Sequence, residues 1–426
     1  MFQYAVSNLK FFIKRGVGAI RSLLLFFNSA SVNTSGYEGR MLIVNLEGMG
    51  DLIVFTSVLK HYKKRFPDRK IFLLIKAGTG IDGILRDNFV DEVIAVPYRK
   101  FSLNPFFGFL LINKLRRIGF RTVINHDFSA SEIMGKIISV ELGAPEVVGY
   151  RGLRIEFEKP NSIQQEKHLR LIESRILPRY TKLIPSLKSD CERDSQLPSM
   201  AESYVAIYEA VTGAKEDDYT PELPATRAPE WAEKSIRKFG LEKNKYVILN
   251  INSSVTCKSW PPDRFIKAVK FLAGQGLTIA AIGSKSEFAR VSRFVEDAGI
   301  PIKNLAGQTS FEDLIALVQY CFLVFANDTS TIHVAVALKK PSLGVSGGGQ
   351  FGVSTGYGYK DITIWAYKKT PCYNDNWRCS REVPYGMPSP CVAAVTLEMV
   401  LEKLQSLTAY LRQTDSYPRE KFRIRF

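Results

Sequence analysis

Short apolar runs alternate with longer amphipathic segments along the chain from residue 41 onward. Met41–Leu46 is an apolar run of strand length. After it the apolar positions recur every three or four residues, which is the spacing of one helix face. The same pattern continues to about residue 141: it predicts strands at Lys70–Ile75, Glu92–Val96 and Arg121–Asn125, and helices at Pro105–Ile118 and Ala130–Glu141.

A second series of alternating segments begins at Tyr246–Ile251. It predicts strands at Leu277–Ile282, Phe322–Ala326 and Ser342–Val345, and helices at Pro262–Ala273, Lys285–Ala298, Phe311–Gln319, Thr329–Leu338 and Thr396–Leu407. Strands that alternate with helices predict a parallel sheet covered on both faces. Two such series therefore predict an α/β protein with two doubly wound halves that face a cleft.

The region between the two series is harder to interpret. Residues 151–240 carry charge runs and scattered prolines, with one helix predicted near Ala201–Val211. We interpret this region as an insertion followed by a linker. The predicted organisation is a basic amphipathic segment at 1–40, Rossmann-like domains at 41–235 and 236–395, and a C-terminal helix and tail at 396–426.

Composition adds a strong positive charge to this picture. The 426 residues are 46% apolar and 23% charged, which is typical of a globular protein, but the formal net charge is +16. Such a surface attracts phosphates of nucleic acid, anionic lipid or small molecules. The sequence has no RNA-binding signature, zinc finger or basic-region zipper, which disfavours nucleic acid as the partner.

The first forty residues form a basic and apolar segment. Lys10, Lys14, Arg15 and Arg21 accompany the apolar run Leu23–Phe27. This pattern predicts an amphipathic helix on the anionic inner surface of a membrane, and the alternative is a solvated extension packed on the domain. We predict neither a signal peptide nor a transmembrane helix, because no apolar stretch is long enough and no cleavage site follows.

The cysteines favour a reducing compartment. Six cysteines in 426 residues do not make a disulfide scaffold, so we expect a cytoplasmic protein. Cys372, Cys379 and Cys391 are separated by spacings that lack a C-x-x-C pair, which disfavours a zinc site. We therefore expect free thiols and no metal.

The first candidate site follows the first predicted strand. Gly48 and Gly50 allow a tight turn there, and Asp51 falls at the start of the next helix. One interpretation is an ordinary helix cap. The other is a general base at a strand end that faces the cleft.

Two candidate phosphate sites lie in the second half. Ser253, Ser254 and Lys258 follow a strand and precede a helix, a position that suits a phosphate, although a solvent-facing loop is an equal alternative. A helix is also predicted to begin near Thr329 and Ser330, and its N-terminus would offer N–H groups to an anion. Asp328 and His333 flank this turn. The acidic Asp328 favours contact with sugar hydroxyls, whereas a single histidine more often serves packing.

A glycine-rich loop follows the strand at Ser342–Val345. Gly348, Gly349 and Gln350 lie in it, and three consecutive glycines allow close approach of a ligand or simply a flexible loop. The chain has neither the G-x-G-x-x-G nor the G-x-x-x-x-G-K-[ST] pattern. A nicotinamide dehydrogenase and a P-loop NTPase are therefore disfavoured.

Taken in order, these segments resemble glycosyltransferase family 9, the heptosyltransferase family of lipopolysaccharide synthesis. The resemblance covers roughly residues 41–405, and Ser330 stands where the family usually has glycine. The matching segments are Glu47–Asp51, Ser57–Pro67, Asp91–Ile94, Lys258–Pro261, Asn304–Leu314 and Asn327–Pro341.

The resemblance implies a GT-B fold, in which the N-terminal domain binds the acceptor and the C-terminal domain binds a nucleotide-sugar such as ADP-heptose. It implies metal-independent, inverting transfer to a lipopolysaccharide or another cell-surface glycan, with Asp51 as the base. It further implies that Lys258, Thr329 and Ser330 stabilise the leaving diphosphate. Glu287 matches a position that contacts ribose, and Asp328 and His333 match the donor motif. The candidate contacts to the sugar or the acceptor are Gly48, Gly50, Gly348, Gly349 and Gln350.

Other function classes remain as alternatives. A sugar-nucleotide epimerase of the same fold would need further acid–base groups around the sugar. A non-catalytic carbohydrate-binding relative would not need Asp51. A basic nucleic-acid binder would show strongly salt-dependent binding to random DNA.

Overall fold

The computed structural model describes residues 37–127, 133–151, 170, 172–185, 187, 198–224, 229–253, 256–349, 351–371, 373, 377, 383–384, 387–414 and 421–424. The predicted basic segment at 1–40 therefore lies almost entirely outside the described residues. Ser254 and Gln350, two of the candidate site residues, also lie outside them.

The first half is a six-stranded parallel sheet in the order β3-β2-β1-β4-β5-β6. Its central strands are apolar because helices cover both faces. The strands are β1 (Arg40–Asn45), β2 (Lys70–Lys76), β3 (Glu92–Val96), β4 (Thr122–Asn125), β5 (Glu146–Tyr150) and β6 (Lys182–Ile184). The helices are α1 (Met49–Arg65), α2 (Asp82–Asn88), α3 (Tyr98–Leu103), α4 (Pro105–Ile118) and α5 (Met134–Glu141), followed by helical turns at Ile172–Ile176 and Leu177–Arg179.

Among the described residues, two helices connect the halves: α6 (Met200–Thr212) and α7 (Pro229–Lys238). The first turn of α6 is fixed by a capping box, because the Ser199 hydroxyl accepts the Glu202 N–H while the Glu202 carboxylate accepts the Ser199 N–H. The helix ends at Gly213, which adopts the left-handed conformation that favours glycine.

The second half is another six-stranded parallel sheet, in the order β12-β11-β10-β7-β8-β9. Its strands are β7 (Tyr246–Asn250), β8 (Thr278–Ala281), β9 (Ile302–Asn304), β10 (Leu323–Asn327), β11 (Ser342–Val345) and β12 (Thr363–Ala366). Its helices are α8 (Pro262–Gly274), α9 (Phe288–Ala298), α10 (Phe311–Gln319), α11 (Ser330–Ala337), α12 (Pro390–Ala393) and α13 (Leu397–Arg412), with helical turns at Thr256–Lys258 and Lys285–Glu287.

Both sheets have the same internal topology. Counted from the first strand of each half, the order is 3-2-1-4-5-6, which is the order of a Rossmann fold. In the first half, successive strands are added outward in one direction from β1 and in the other direction from β4. The second half changes direction in the same way between β7 and β10. Ligands of such sheets bind at the carboxyl ends of these strands, so the loops after β1, β4, β7 and β10 are where a site is expected.

The structure confirms the prediction of two doubly wound α/β halves. It also corrects the interpretation of residues 151–240 as insertion and linker, because Lys182–Ile184 forms β6 and extends the first sheet. The short edge strands β6, β9 and β12 escaped prediction, as did β5. The positions of the domain boundaries stay a prediction.

The halves meet through helices that start at strand ends. Helix α1 packs against α6 on one side and against α11 of the second half on the other. Buried residues of both halves form one continuous apolar cluster, in which Phe55 and Tyr204 pack edge to face. This packing holds the carboxyl ends of the two sheets opposite each other.

Candidate active site

Asp51 lies in the first turn of α1, directly after β1. Its Oδ2 accepts the backbone N–H of Gly48 at 2.9 Å, so the side chain is fixed at the strand end. Burial raises the pKa of this carboxyl to about 6, with a further increase from the nearby charge of Asp328. The hydrogen bond from Gly48 and the charge of Lys258 act in the opposite direction. A carboxylate with such a pKa is suited to accept a proton near neutral pH.

Gly50 brings this turn against the second half. A Cβ placed on Gly50 would lie 2.5 Å from Cδ2 of His333 and 3.2 Å from Cα of Ser330. Real Cβ atoms essentially never come as close as the 2.5 Å contact, and the 3.2 Å contact is a tight one to the backbone of Ser330. The glycine therefore permits the N-termini of α1 and α11 to meet, and this contact places Asp51 beside the predicted donor residues.

We expect Gly50→Ala to lower kcat/KM by about 10²-fold, because a shift of about 1 Å at a reacting centre has effects of this size. Alanine is otherwise favoured over glycine in a helix by about 0.5–1 kcal/mol, so any loss would come from the contact. Gly83→Ala is the matched control, since Gly83 lies in helix α2 with open space around its Cβ position. Equal activity of both variants would show that the contact does not matter.

The loop after β7 is held by a buried asparagine at the end of β10. Asn327 Oδ1 accepts the N–H of Trp260 at 2.9 Å, and Asn327 Nδ2 donates to the carbonyl of Ile251 at 2.7 Å. The loop thereby carries Lys258 to the strand ends. Its ammonium lies 4.4 Å from the ring centroid of Trp377, a cation–π contact that orients the side chain.

Asn327→Ala should destabilise the fold by about 2–5 kcal/mol, because it leaves the buried Trp260 N–H and Ile251 carbonyl without partners. Chemical denaturation would measure this change. Asn88→Ala serves as the control, since Asn88 makes one exposed bond to the carbonyl of Ile84. A loss below about 1 kcal/mol for Asn327→Ala would contradict the assigned role, because it is no more than one ordinary hydrogen bond.

Several buried polar atoms around these strand ends have no hydrogen-bond partner among the described residues. They include both side-chain polar atoms of Asn252, the hydroxyl of Ser253 and the hydroxyl of Thr329. Buried polar groups are normally paired. Their grouping after β7 and β10 indicates a surface that binds a polar ligand, and it includes two of the predicted donor residues.

Asp328 and His333 are fixed by partners that the sequence did not indicate. Asp328 Oδ2 accepts hydrogen bonds from Ser354 at 2.7 Å and from Ser346 at 3.4 Å. His333 Nδ1 is hydrogen-bonded to the Tyr357 hydroxyl. Burial lowers the pKa of His333 to about 4. This histidine is therefore neutral near pH 7 and acts through hydrogen bonding and packing.

Three residues that were predicted to contact a ligand have contacts within the protein, namely Glu287, Gly348 and Gly349. The Glu287 Oε2 accepts the N–H of Ser284 at 2.6 Å, which closes the turn before α9. A Cβ on Gly348 would lie 2.1 Å from the Tyr373 ring, and one on Gly349 would lie 2.2 Å from the Trp377 ring. Packing against aromatic rings thus explains these two glycines. The ribose contact of Glu287 and the sugar contact of Gly348 and Gly349 stay predictions.

We also searched the described part of the chain for metal sites and membrane-spanning helices. This part contains no cluster of three histidine, cysteine or carboxylate side chains that suits a metal ion, and none of its helices is long and apolar enough to cross a membrane. Cys257, Cys321 and Cys391 are buried free thiols. Cys372 and Cys379 lie outside the described residues.

A second polar cluster lies after β4. Asp127 is buried and accepts the N–H of Leu46 at 2.7 Å, which ties the end of β4 to the turn before α1. The positive charge of the buried Lys136 on α5 offsets part of the cost of burying Asp127. This cluster was not among the predicted sites. The signal was a run of polar residues, Asn125 to Asp127, directly after an apolar strand.

The comparison with known families agrees with these features. Residues 181–382 match the model of glycosyltransferase family 9 (heptosyltransferase). This part of the chain is therefore similar to a family 9 glycosyltransferase domain. This match includes the whole second sheet with its candidate donor site, and it confirms the resemblance seen in the sequence.

One curated relative is lipooligosaccharide heptosyltransferase 2 of Haemophilus ducreyi, which is 31% identical over 156 residues, 34% of this chain and 45% of the relative. The aligned region thus spans less than half the length of that protein.

Two solved structures extend the similarity in fold to most of the chain. A family 9 glycosyl transferase from Veillonella parvula has a TM-score of 0.62 and 18% identity, with 88% of this chain and 98% of that one covered. The E. coli ADP-heptose lipopolysaccharide heptosyltransferase II has a TM-score of 0.58 and 16% identity, with 88% and 99% covered. Because these structures have the GT-B architecture, they confirm the predicted fold class.

Proposed function

We propose that the protein is a glycosyltransferase that moves a sugar from a nucleotide-diphosphate sugar to a lipopolysaccharide or another cell-surface glycan. The observation that carries this proposal is the position of Asp51. Its carboxyl has a pKa of about 6, and the turn that carries it meets the N-terminus of α11, where the buried hydroxyl of Thr329 has no hydrogen-bond partner among the described residues. A base on one sheet thus faces a polar ligand surface on the other.

The proposed reaction is a direct, inverting displacement. The acceptor hydroxyl oxygen attacks the anomeric carbon of the donor, and its proton moves to Asp51. The bond between this carbon and the diphosphate oxygen breaks, and its electron pair leaves with the diphosphate. Lys258 and the N-terminus of α11 stabilise this new charge, so that the protein's own groups act without a metal ion.

The donor that we propose is ADP-heptose. One structurally similar protein is an ADP-heptose lipopolysaccharide heptosyltransferase, and one curated relative is a lipooligosaccharide heptosyltransferase. The unpaired amide of Asn252 lies next to Glu287, since a Cβ on Gly283 would contact both side chains. We place the nucleoside there and the diphosphate at Ser253, Lys258, Thr329 and Ser330.

We further propose that the protein works on the cytoplasmic face of the bacterial inner membrane. The basic and apolar segment at residues 1–40 supports this location, because such segments bind anionic lipid. The acceptor would then be a membrane-borne glycolipid.

Calorimetry with a nucleotide panel tests this proposal. The panel contains ADP, UDP, GDP and CMP with their common sugars, in the presence of a chelator. We expect selective binding of ADP and ADP-heptose by the wild-type protein. Binding of another nucleotide would replace the proposed donor, and binding that requires a divalent cation would overturn the metal-independent mechanism. Release of free nucleotide without an acceptor would favour an epimerase.

A further inference from the structure

Helices α3 and α4 present large apolar side chains to solvent. Phe106 is 62% exposed, Leu110 is 64% exposed and Leu103 is 39% exposed. Phe106 and Leu110 are four residues apart and lie on the same face of α4. They are the two most exposed large apolar side chains among the described residues. Grouped exposed apolar residues mark an interaction surface.

The same region is strongly basic. Residues 93–126 contain no aspartate or glutamate, and they contain six arginines and lysines: Arg99, Lys100, Lys114, Arg116, Arg117 and Arg121. Arg99 and Lys100 are exposed on α3, next to Leu103. Lys114 and Arg117 continue the exposed face of α4 beyond Leu110. We call Arg99, Lys100, Leu103, Phe106 and Leu110 the docking patch.

An open cavity borders the docking patch. Its volume is about 830 Å³, and its lining includes Lys76, Tyr98, Arg99, Lys100 and Asn104 but no carboxylate. The Lys76 ammonium lies 4.9 Å from the centroid of the Tyr98 ring, which orients it at the cavity wall. A concave surface with three cations suits a phosphate group.

The docking patch lies on the same edge of the molecule as Asp51. All strands of the first sheet are parallel, so the ends of β1, β2 and β3 share one edge. Helix α3 follows β3 directly, and Phe106 and Leu110 occupy the first two turns of α4. A surface bound here would therefore face the acceptor side of the cleft.

From this geometry we infer that the docking patch binds the surface of an anionic lipid bilayer. Phe106, Leu110 and Leu103 enter the interface between headgroups and acyl chains, while Arg99 and Lys100 contact lipid phosphates. This surface belongs to the folded domain and is distinct from the segment at residues 1–40. The binding does not depend on which sugar the protein transfers.

Charge argues against two other occupants. The N-terminal segment could cover an apolar surface, but it carries Lys10, Lys14, Arg15 and Arg21 and has no acidic residue before Glu38. A second copy paired through the same patch would bring the same cations together. Like charges repel in both cases, whereas an anionic bilayer attracts the patch.

Vesicle flotation of the full chain tests the inference. The vesicles contain equal parts of phosphatidylglycerol and phosphatidylethanolamine, at a lipid concentration that binds half of the wild-type protein. The double variant Phe106→Ser/Leu110→Ser should bind about tenfold more weakly, because two exposed apolar side chains no longer insert. Arg99→Gln/Lys100→Gln should bind about thirtyfold more weakly at low salt. On neutral phosphatidylcholine vesicles, neither double variant should bind more strongly than the wild-type protein does.

Matched controls lie on the second sheet. Phe288 is 48% exposed and Arg290 is exposed, both on α9. Phe288→Ser/Arg290→Gln should bind vesicles as the wild-type protein does. Equal binding by the wild-type protein and both patch variants would overturn the inference and leave the N-terminal segment as the membrane contact. A patch variant that keeps vesicle binding but changes the oligomeric state would also overturn it, in favour of a second copy.

Discussion

Asp51→Asn should reduce kcat by about 10²–10⁴-fold, which is the range for loss of a general base. Donor affinity should change little, because the asparagine keeps the shape of the side chain and Asp51 acts on the acceptor hydroxyl. The readout is the rate of nucleotide release with saturating donor and acceptor, together with donor binding by calorimetry.

The pH dependence gives this prediction a second readout. The base must be ionised, so kcat/KM of the wild-type protein should rise with pH through about 6 and then level off. Asp51→Asn should lack this rise. A carboxyl whose pKa in the fold exceeds the ordinary 3.8 stabilises the fold at low pH, and this contribution is lost as pH rises through about 6. At pH 8 the asparagine variant should therefore be at least as stable as the wild-type protein.

The control for Asp51 is Asp82→Asn. Asp82 also lies in the first turn of a helix of the first sheet, but it is exposed. The Asp82→Asn variant should retain wild-type activity. Loss of a general base should lower kcat by at least about 10²-fold. If Asp51→Asn retained more than about a tenth of the wild-type kcat, Asp51 would therefore be a helix-capping residue and not the base.

Lys258→Ala should weaken donor binding by about 10- to 100-fold, which corresponds to loss of one hydrogen bond to a charged group. It should also lower kcat by about 10²-fold or more, because the leaving diphosphate gains charge in the transition state. The cation–π contact with Trp377 fixes the ammonium in one position. Lys258→Arg should restore only part of the activity, since its planar fork differs from a compact ammonium.

Lys270→Ala is the matched control, because Lys270 is exposed on α8, the helix that follows the Lys258 loop. It should bind donor as the wild-type protein does. If Lys258→Ala bound the diphosphate nucleotide and the free nucleoside with unchanged affinities, Lys258 would not contact the diphosphate. The phosphate site would then have to be formed by Ser253, Thr329 and Ser330.

The fold was predictable where the sequence pattern is strong. Long apolar runs such as Met41–Leu46 and Tyr246–Ile251 lie in the centres of the sheets, where both faces are buried. Edge strands carry a weaker signal. All three residues of Ile302–Asn304 are only partly buried, and the strand contains Lys303 and Asn304, so its pattern resembles that of a loop.

The candidate site was predictable only in part. Glycines, hydroxyls and charges at strand ends indicated the turns at Asp51, Lys258 and Asp328, because chain order places them after central strands. The partners that fix these turns are distant in sequence. Ser354 and Tyr357 come from the segment between β11 and β12, and no local pattern links them to Asp328 and His333.

The glycine-rich loop shows a different limit. Three consecutive glycines are compatible with contact to a ligand or with close packing inside the protein. The structure brings the rings of Tyr373 and Trp377 against Gly348 and Gly349, and these rings lie about 25 residues further along the chain. Sequence spacing carries no information about such a contact.

Sugar transfer itself can be followed by mass spectrometry. The most direct measurement follows the mass of core-truncated lipopolysaccharides incubated with ADP-heptose and the full-length protein in the presence of a chelator. We expect one glycolipid to gain the mass of one heptose, with release of ADP, and we expect no such gain with Asp51→Asn. A gain that Asp51→Asn leaves unchanged, or release of ADP without any heavier glycolipid, would contradict the proposed function.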